Sequence, residues 1–337
     1  MAFLISQPKG LLGIDFGSYA VKVAEVLPGN PPILRAFGQV KMPREGITPD
    51  NLELIADKLK YLLKILEIKT KKATISFSSY ASIIKRVETK LDENKDLDEL
   101  IKEEAEANIP FDLEEVYYDY HIISSEEDRI ELIIAASKKD LINEICEITE
   151  KAKLKINEVN IDIIATGNVL EKLTDTRRPI MLIDMGASKT TIVIWKKESL
   201  DFIRDTGIGV IDITAEIEKE LNITHTEAEK IKLTKKQEYK KVIKKAYKNY
   251  LDKIVEHIIE SIKNYEETNK EKIQQAFTCG GGTLIVNNKY LSEKTGLKIE
   301  ELNVLDKINP KKINKESNNY IKKIGHTAIS LAINELL

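Results

Sequence analysis

Apolar residues recur along this chain with two different periods, one typical of strands and one typical of helices. Near the start, the apolar segments 11–15 and 20–26 flank Phe16-Gly17-Ser18-Tyr19, a pattern that predicts a strand, a turn and a second strand. From Asp50 to Ile68 the apolar residues recur at intervals of three and four, which predicts an amphipathic helix. A further strand is predicted at 73–77.

Residues 82–157 follow a different order. The pattern predicts a strand at 83–89, a helix at 96–108 stopped by Pro110, two alternating strands at 115–124 and 129–136, and a helix at 138–152. This β-α-β-β-α order indicates a compact module inserted into a larger fold.

The second half opens with the same pattern as the first. A strand at 179–184 and a strand at 189–195 flank Met185-Gly186-Ala187-Ser188. Residues 211–269 are mostly helical in pattern, with a capping box predicted at 224–227. The lysine runs from Lys235 to Lys245 are interpreted as a solvated helix face. A last strand at 276–279 leads into Gly280-Gly281-Gly282.

Composition narrows the class of protein. The 337 residues, 42% of them hydrophobic and 32% charged, predict a globular protein of about two domains. A net charge of -3 argues against a dedicated nucleic-acid binder. No apolar run reaches the ~18 residues of a membrane span, and the first residues do not resemble a secretory signal. With only Cys146 and Cys279 present, we expect a reducing, cytoplasmic location.

The two hairpins constitute an internal repeat. Residues 13–18 align with residues 182–187, each giving apolar, Ile, Asp, apolar, Gly and a small residue. An aspartate at the carboxyl end of a strand lies where ligands bind in α/β sheets, and the glycine allows the backbone to approach a phosphate closely. Because a carboxylate repels phosphate, Asp15 and Asp184 fit such a role only beside Mg²⁺ or its waters.

Each motif alone has an ordinary explanation. Asp-x-Gly occurs in many hairpin turns, and the triple glycine also fits a turn before a helix. Other phosphate motifs do not fit, because residues 186–190 lack the glycines of a P-loop and no G-x-G-x-x-G follows a strand. The order and spacing of all three motifs favour a nucleotide site.

These motifs resemble those of the actin, sugar-kinase and Hsp70 superfamily. Residues 13–23 look like its first phosphate motif, 182–191 like its second and 277–283 like its adenosine motif. The resemblance implies an α/β, two-domain actin-like (ribonuclease H-like) fold that holds ATP and Mg²⁺. The cofactor-binding residues that it implies are Asp15, Gly17, Ser18, Tyr19, Lys22, Asp184, Gly186, Ala187, Ser188, Gly280, Gly281 and Gly282, with Asp15 and Asp184 as magnesium ligands through water. Glu229 and Lys232 resemble the residues that touch ribose and adenine, although an exposed charged helix explains them equally well.

The inserted module is similar to that of one family. Residues 104–116, followed by Tyr118-Asp119-Tyr120, resemble a hallmark of the type IV pilus assembly protein PilM family, as do 18–22 and 299–305. This family is similar to the division protein FtsA, whose subdomain 1C occupies the position of residues 82–157. On this likeness residues 1–81 begin subdomain 1A, 158–178 return to it and connect the domains, 179–325 form the second domain (2A and 2B), and 326–337 are a C-terminal helix that returns to the first.

One site residue departs from the family pattern. Where the family usually has Glu-Pro, this chain has Asp162-Ile163. The resemblance implies that Asp162 is the catalytic carboxylate near the γ-phosphate, one methylene shorter than the usual glutamate.

Three functions stay open on these grounds. The preferred hypothesis is an ATP-binding adaptor of the type IV pilus machine, which by resemblance binds the cytoplasmic tail of the inner-membrane protein PilN and, through it, PilO and the pilus assembly ATPase. Contact with the membrane is then only through partners. The alternatives are a slow ATPase and an FtsA-like filament or other homo-oligomer. The partner-binding candidates are Ile109, Pro110, Phe111, Tyr117, Tyr118 and Tyr120, although strand packing also explains the tyrosines.

The four histidines show no metal-binding spacing. His121, His225, His257 and His326 lie far apart in sequence, and we interpret them as ordinary packing or surface residues. Cys279 is interpreted as a small buried residue, and no zinc is expected.

Overall fold

The computed structural model describes residues 11–91, 95–197, 199–234, 237–310, 315–334 and 336. The chain forms two compact units. The first comprises Met1–Thr166, Ser199–Asp201 and Thr327–Leu337, and the second comprises Gly167–Glu198 and Phe202–His326. The first residues and the lysines at 235–236, on which sequence expectations were placed, lie outside the described residues.

A mixed five-stranded sheet forms the centre of the first unit. Its strands lie in the order β3-β2-β1-β4-β8, with β1 antiparallel to β2 and parallel to β4. The elements up to residue 161 are β1 Leu11–Phe16, β2 Ala20–Leu27, β3 Ile33–Lys41, α1 Leu52–Ile65, β4 Lys72–Phe77, β5 Ser82–Lys90, α2 Leu97–Asn108, β6 Val116–Ser125, β7 Arg129–Lys138, α3 Lys139–Lys151 and β8 Lys155–Ile161. Helix α4, Asp162–Leu173, follows β8 directly.

The predicted helix at 50–68 is confirmed as α1, with shorter ends. Its buried face contains Leu52, Ile55, Ala56, Leu59, Leu62 and Leu63, the residues whose spacing predicted it. A short 3₁₀ turn at Pro49–Asn51 precedes α1, and Glu67 takes a positive φ of 53° just after it. These two features end the regular helix inside the predicted range.

The inserted module has the predicted β-α-β-β-α order. Strands β5, β7 and β6 form a separate three-stranded sheet in that spatial order. Helix α2 covers one face of it, and the module has a core of its own that includes Leu100, Ile101 and Leu132. Helix α3, predicted as the last element of the module, packs instead against α1 and β8.

The second unit repeats the sheet of the first. Its strands lie in the order β11-β10-β9-β12-β13, with β9 antiparallel to β10 and parallel to β12. The elements after α4 are β9 Ile180–Met185, β10 Thr190–Lys196, β11 Ser199–Thr206, α5 Ile211–Leu221, α6 His225–Thr234, α7 Lys240–Asn269, β12 Gln275–Cys279, α8 Asn288–Thr295, β13 Lys298–Glu301, α9 Lys315–Ile324 and α10 His326–Ile333. The internal repeat inferred from the two hairpins is therefore present in the topology.

The helical stretch of this unit begins at caps that the sequence indicates. The Glu227 carboxylate accepts hydrogen bonds from the Thr224 backbone N–H at 3.0 Å and from its hydroxyl at 2.8 Å. The Glu227 N–H donates to the Thr224 hydroxyl at 3.3 Å, which completes the predicted capping box before α6. Among the described residues, no helix has the length and apolarity needed to cross a bilayer.

The C-terminal helix differs from its prediction. An amphipathic helix was expected at 331–337, but α10 ends at Ile333 and all of its residues are buried. Residues 335 and 337 lie outside the described residues. The helix is buried because it lies against β1: a Cβ added at Gly13 would be 2.0 Å from the Ala328 carbonyl oxygen and 2.8 Å from the Ala332 nitrogen.

This contact makes Gly13 a critical packing position. We expect Gly13→Ala to lower the free energy of unfolding by about 3 kcal/mol, because backbone on both sides leaves no room for a methyl group. Urea unfolding followed by circular dichroism measures the change. Gly207→Ala is the matched control, since no atom lies within 4 Å of a Cβ there. Equal midpoints for the two variants would contradict the packing described for α10.

Candidate functional site

The first hairpin holds a buried carboxylate beside a lysine. Asp15 lies near the end of β1, opposite Lys22 on β2, and is 5% exposed. The Lys22 ammonium lies 2.7 Å from Asp15 Oδ2, and the Ser76 hydroxyl on β4 donates to Asp15 Oδ1 at 3.4 Å. These partners fix the carboxylate at the strand end and offset the cost of burying its charge.

The turn of this hairpin leaves little room for larger residues. A Cβ at Gly17 would lie 3.3 Å from the Lys22 ammonium and 3.6 Å from Asp15 Oδ2. Ser18 and Tyr19 follow at the exposed end of the turn. The turn therefore presents backbone and small side chains next to the Asp15–Lys22 pair.

The second hairpin has the same backbone arrangement but different charge pairing. Asp184 lies on β9 opposite Thr191 of β10, and the Gly186 N–H closes the turn on the Lys189 carbonyl at 2.9 Å. The Lys189 ammonium lies 3.0 Å from Asp205 Oδ1, which also accepts a hydrogen bond of 2.5 Å from the Thr191 hydroxyl. Sequence reasoning missed Lys189 and Asp205, because β11 carries no motif.

The start of α5 packs against this turn. The Val210 N–H donates to the Gly186 carbonyl at 3.2 Å, and the Ile211 N–H donates to the Ala187 carbonyl at 2.9 Å. These bonds fix the backbone of Gly186 and Ala187, while Ser188 is exposed at the tip.

The triple glycine lies directly beside Asp184. Gly280 has a φ of +90°, and a Cβ there would lie 2.3 Å from Asp184 Oδ1. A Cβ at Gly282 would meet the Met185 side chain at 2.7 Å, whereas at Gly281 no atom lies within 4 Å. The loop therefore packs on the hairpin through Gly280 and Gly282 and presents open backbone at Gly281.

Two further residues lie beside Asp184. Cys279 pairs with Asp184 across β12 and β9. His326 Nε2 lies 3.8 Å from Asp184 Oδ1, and the Gly280 N–H donates to His326 Nδ1 at 3.4 Å. The sequence gave no sign of this cluster because its members come from three distant segments. The other histidines lie on β6, α6 and α7.

Glu229 and Lys232 form a buried pair within α6. The Lys232 ammonium lies 2.7 Å from Glu229 Oε2, and the Thr214 hydroxyl lies 2.7 Å from both groups. Lys232 is 5% exposed. The alternative of an exposed charged helix therefore does not describe this pair, and its role toward a nucleoside stays a prediction.

Asp162 begins α4. Its Oδ1 accepts hydrogen bonds from the Ser79 N–H at 2.9 Å and from the Ile163 N–H at 2.6 Å. A carboxylate at a helix N-terminus satisfies amides that have no partner within the helix. This structural role accounts for Asp162, and its predicted catalytic role stays a prediction.

The partner-binding candidates divide into two groups. Phe111, Tyr117 and Tyr118 are exposed by 39%, 46% and 37%, and Pro110 is exposed beside them. Ile109 is 4% exposed and Tyr120 is half-buried, and both pack into the core of the inserted module. The exposed set lies on β6, an edge strand, and on the segment before it. Tyr80, 67% exposed just before β5, was missed because a single aromatic in a polar turn carries no periodic signal.

The family of this chain follows from a comparison over almost its whole length. A family model described as type IV pilus assembly protein PilM matches residues 13–335. This chain belongs to the PilM family.

Known structures agree with this family assignment. The PilM chain is similar to a structure described as a PilM-PilN type IV pilus biogenesis complex, with a TM-score of 0.85, 22% identity and coverage of 97% of this chain and 98% of that chain. It is also similar to the ethanolamine utilization protein EutJ from Carboxydothermus hydrogenoformans, with a TM-score of 0.58, 14% identity and coverage of 97% and 90%. The predicted actin-like α/β fold is confirmed.

A curated relative matches a shorter segment. The cell division protein FtsA of Bacillus subtilis (strain 168) is 24% identical over 103 residues. The match covers 31% of this PilM-family chain and 23% of FtsA, so it supports a relationship over that segment only.

The buried α6 pair yields a prediction about stability. We expect Glu229→Ala to lower the free energy of unfolding by about 3 kcal/mol, because it leaves the Lys232 ammonium buried without its carboxylate. Thermal unfolding of the purified protein measures this loss. In the control Glu106→Ala, which removes an exposed α2 carboxylate 3.9 Å from Lys102, we expect little change. A loss no larger than that of the control would show that the pair contributes little to stability.

Proposed function

We propose that this PilM-family protein binds Mg-ATP and uses it to control binding of the cytoplasmic tail of a PilN-type inner-membrane protein. The observation that carries the nucleotide part is the repeated hairpin, in which the first strand of each sheet ends in an aspartate beside a glycine turn. The exposed aromatic residues of the inserted module support the partner part.

The residues at the two hairpins fit a magnesium nucleotide chemically. Asp15 and Asp184 supply carboxylate oxygens, which a hard cation prefers, and they would hold Mg²⁺ through its waters. When bound, the cation would offset the negative charge of the phosphates. Lys22, now paired with Asp15, supplies a second positive charge at the first hairpin, and the turn at Gly17 allows close approach of phosphate oxygens.

The residues proposed for the nucleoside lie in the second unit. Gly281 offers open backbone on which a flat ring system can lie, since no atom occupies the space of its absent side chain. The Glu229–Lys232 pair supplies an acceptor for ribose hydroxyls and a cation, once Thr214 gives up part of its hydrogen bonding.

The proposed partner surface consists of Phe111, Tyr117 and Tyr118. The Lys138 ammonium lies 4.8 Å from the centroid of the Phe111 ring, and the Tyr117 hydroxyl donates to Asn143 at 3.1 Å. These contacts hold the rings in place while leaving them exposed, so less side-chain entropy is lost on binding. Because β6 is an edge strand, an extended peptide could add its backbone beside these rings.

The proposed setting follows from the partner. A protein that binds the cytoplasmic tail of PilN works in the cytoplasm and reaches the inner membrane through that partner. PilO and the pilus assembly ATPase would then be indirect partners. The structure described as a PilM-PilN complex supports the choice of PilN.

The nucleotide part is tested by calorimetry. We expect titration with Mg-ATP to give a dissociation constant on the order of micromolar, and Asp184→Asn to weaken binding by at least ~10-fold, since it removes one negative charge from the magnesium ligands. Asp175→Asn is the control, because Asp175 is an exposed carboxylate paired with Arg177 in the same unit. Equal affinity of wild type and Asp184→Asn would refute the proposed role of Asp184.

The partner part is tested with a labelled peptide of the PilN-type tail. We expect Tyr118→Ala and Phe111→Ala each to weaken binding by at least ~10-fold in fluorescence anisotropy, because exposed aromatics supply most of the binding energy at such surfaces. Tyr320→Ala is the matched control, with a tyrosine 42% exposed in the second unit. The titration is repeated with and without Mg-ATP, and identical affinities would refute control by nucleotide.

A further inference from the structure

Three potential metal ligands converge in the second unit. Asp184 lies near the end of β9, Cys279 is the last residue of β12 and His326 is the first residue of α10. One ligand atom from each side chain can be chosen such that all three lie within 4.8 Å of one another.

The fold itself brings these ligands together. The parallel pairing of β9 and β12 places Asp184 opposite Cys279. Gly280 follows Cys279, and the space of its missing Cβ is filled by Asp184 Oδ1, which would be only 2.3 Å from that atom. Any other residue at 280 would push the carboxylate away from Cys279 and His326.

The ligand types differ from those that magnesium prefers. A thiolate, an imidazole and a carboxylate are the ligands of zinc and related transition metals, whereas Mg²⁺ prefers oxygen alone. Cys279 and His326 are 2% and 3% exposed, while the Asp184 side chain is 14% exposed and leaves a route to solvent. Three protein ligands with a fourth position open is the arrangement of many zinc sites.

The distances are close to those a metal requires. His326 Nε2 and Asp184 Oδ1 are 3.8 Å apart. Zinc bonds of ~2.0–2.1 Å in a tetrahedron bring neighbouring N and O ligands to about 3.4 Å. The pair therefore needs to close by only a few tenths of an ångström, which side-chain rotation can supply.

We propose that Asp184, Cys279 and His326 bind a divalent transition-metal ion of the zinc class. On binding, the Cys279 thiol releases its proton to solvent and the thiolate becomes a ligand. His326 binds through Nε2 and carries its proton on Nδ1, so the Gly280 N–H gives up its contact there. That contact is 3.4 Å long and therefore weak, and its loss opposes metal binding only slightly. This inference goes beyond the proposed adaptor function and does not depend on it.

Cobalt is the probe, because Co²⁺ replaces zinc and its thiolate complexes absorb strongly. We expect Co²⁺ added to the full-length protein without nucleotide to produce a thiolate-to-cobalt charge-transfer band and the visible bands of a tetrahedral ion. Zinc added afterwards removes both. The charge-transfer band is lost in Cys279→Ser, and His326→Gln weakens cobalt binding by at least ~10-fold.

Cys146 provides a matched control, since it is the one other cysteine of the chain. It lies on α3 in the first unit, and burial raises the pKa of its thiol, which disfavours the thiolate form that binds metals. We expect Cys146→Ser to leave the cobalt spectrum unchanged. Circular dichroism verifies that each variant is folded.

Two results would overturn the proposal. One is a wild-type spectrum without the charge-transfer band, and the other is a band that persists in folded Cys279→Ser. Because the titration contains no nucleotide, a failure of Mg-ATP binding would not alter its result. The nucleotide proposal and the metal proposal can therefore fail separately.

Discussion

The fold depends on how each sheet accommodates a carboxylate at the end of its first strand. A charge at that position costs several kcal/mol unless the structure supplies partners. In the first unit the partners are Lys22 and Ser76, which lie on the two strands that flank β1. In the second unit the lysine of the hairpin pairs with Asp205, and Asp184 lies beside His326 and Gly280. The same topology therefore supports two chemically different strand ends.

Close backbone contacts at glycines position both of these strand ends. Gly13 lets α10 lie directly on β1, one turn of the chain before Asp15. Gly280 lets the loop after β12 lie directly on Asp184. In both places a side chain would separate elements by more than packing can recover, since interiors are close-packed. The glycines thus act through what they allow the neighbouring backbone to do, and their conformational freedom matters mainly at Gly280.

The sequence predicted the features that are encoded locally. Helix α1 and the hairpin strands were found because their apolar residues repeat at short intervals. The likeness of residues 13–18 to 182–187 revealed the repeat, and the similarity of residues 104–116 revealed the family. What was missed depends on contacts between distant segments. The Lys189–Asp205 pair requires knowledge of β11, and the Asp184–Cys279–His326 cluster requires the register of β9 against β12 together with the start of α10. The burial of α10 also could not be predicted, because its pattern does not reveal that β1 covers it.

Strand β6 is the element whose sequence is hardest to explain by folding alone. It lies at the edge of its sheet, and only Val116 among its residues is buried, yet it carries Tyr117, Tyr118 and Ile122 in exposed positions. Exposed aromatic edge strands promote unwanted association, and proteins usually protect them with charge or cover. The module does not need these rings for stability, because its core forms between α2, β5 and β7 around residues such as Leu132. Acidic residues at 114, 115 and 119 supply part of the protection by charge. An extended partner that covers β6 is the simplest physical reason for the remaining apolar surface, and it would place the regulated contact on the part of the first unit that has its own core.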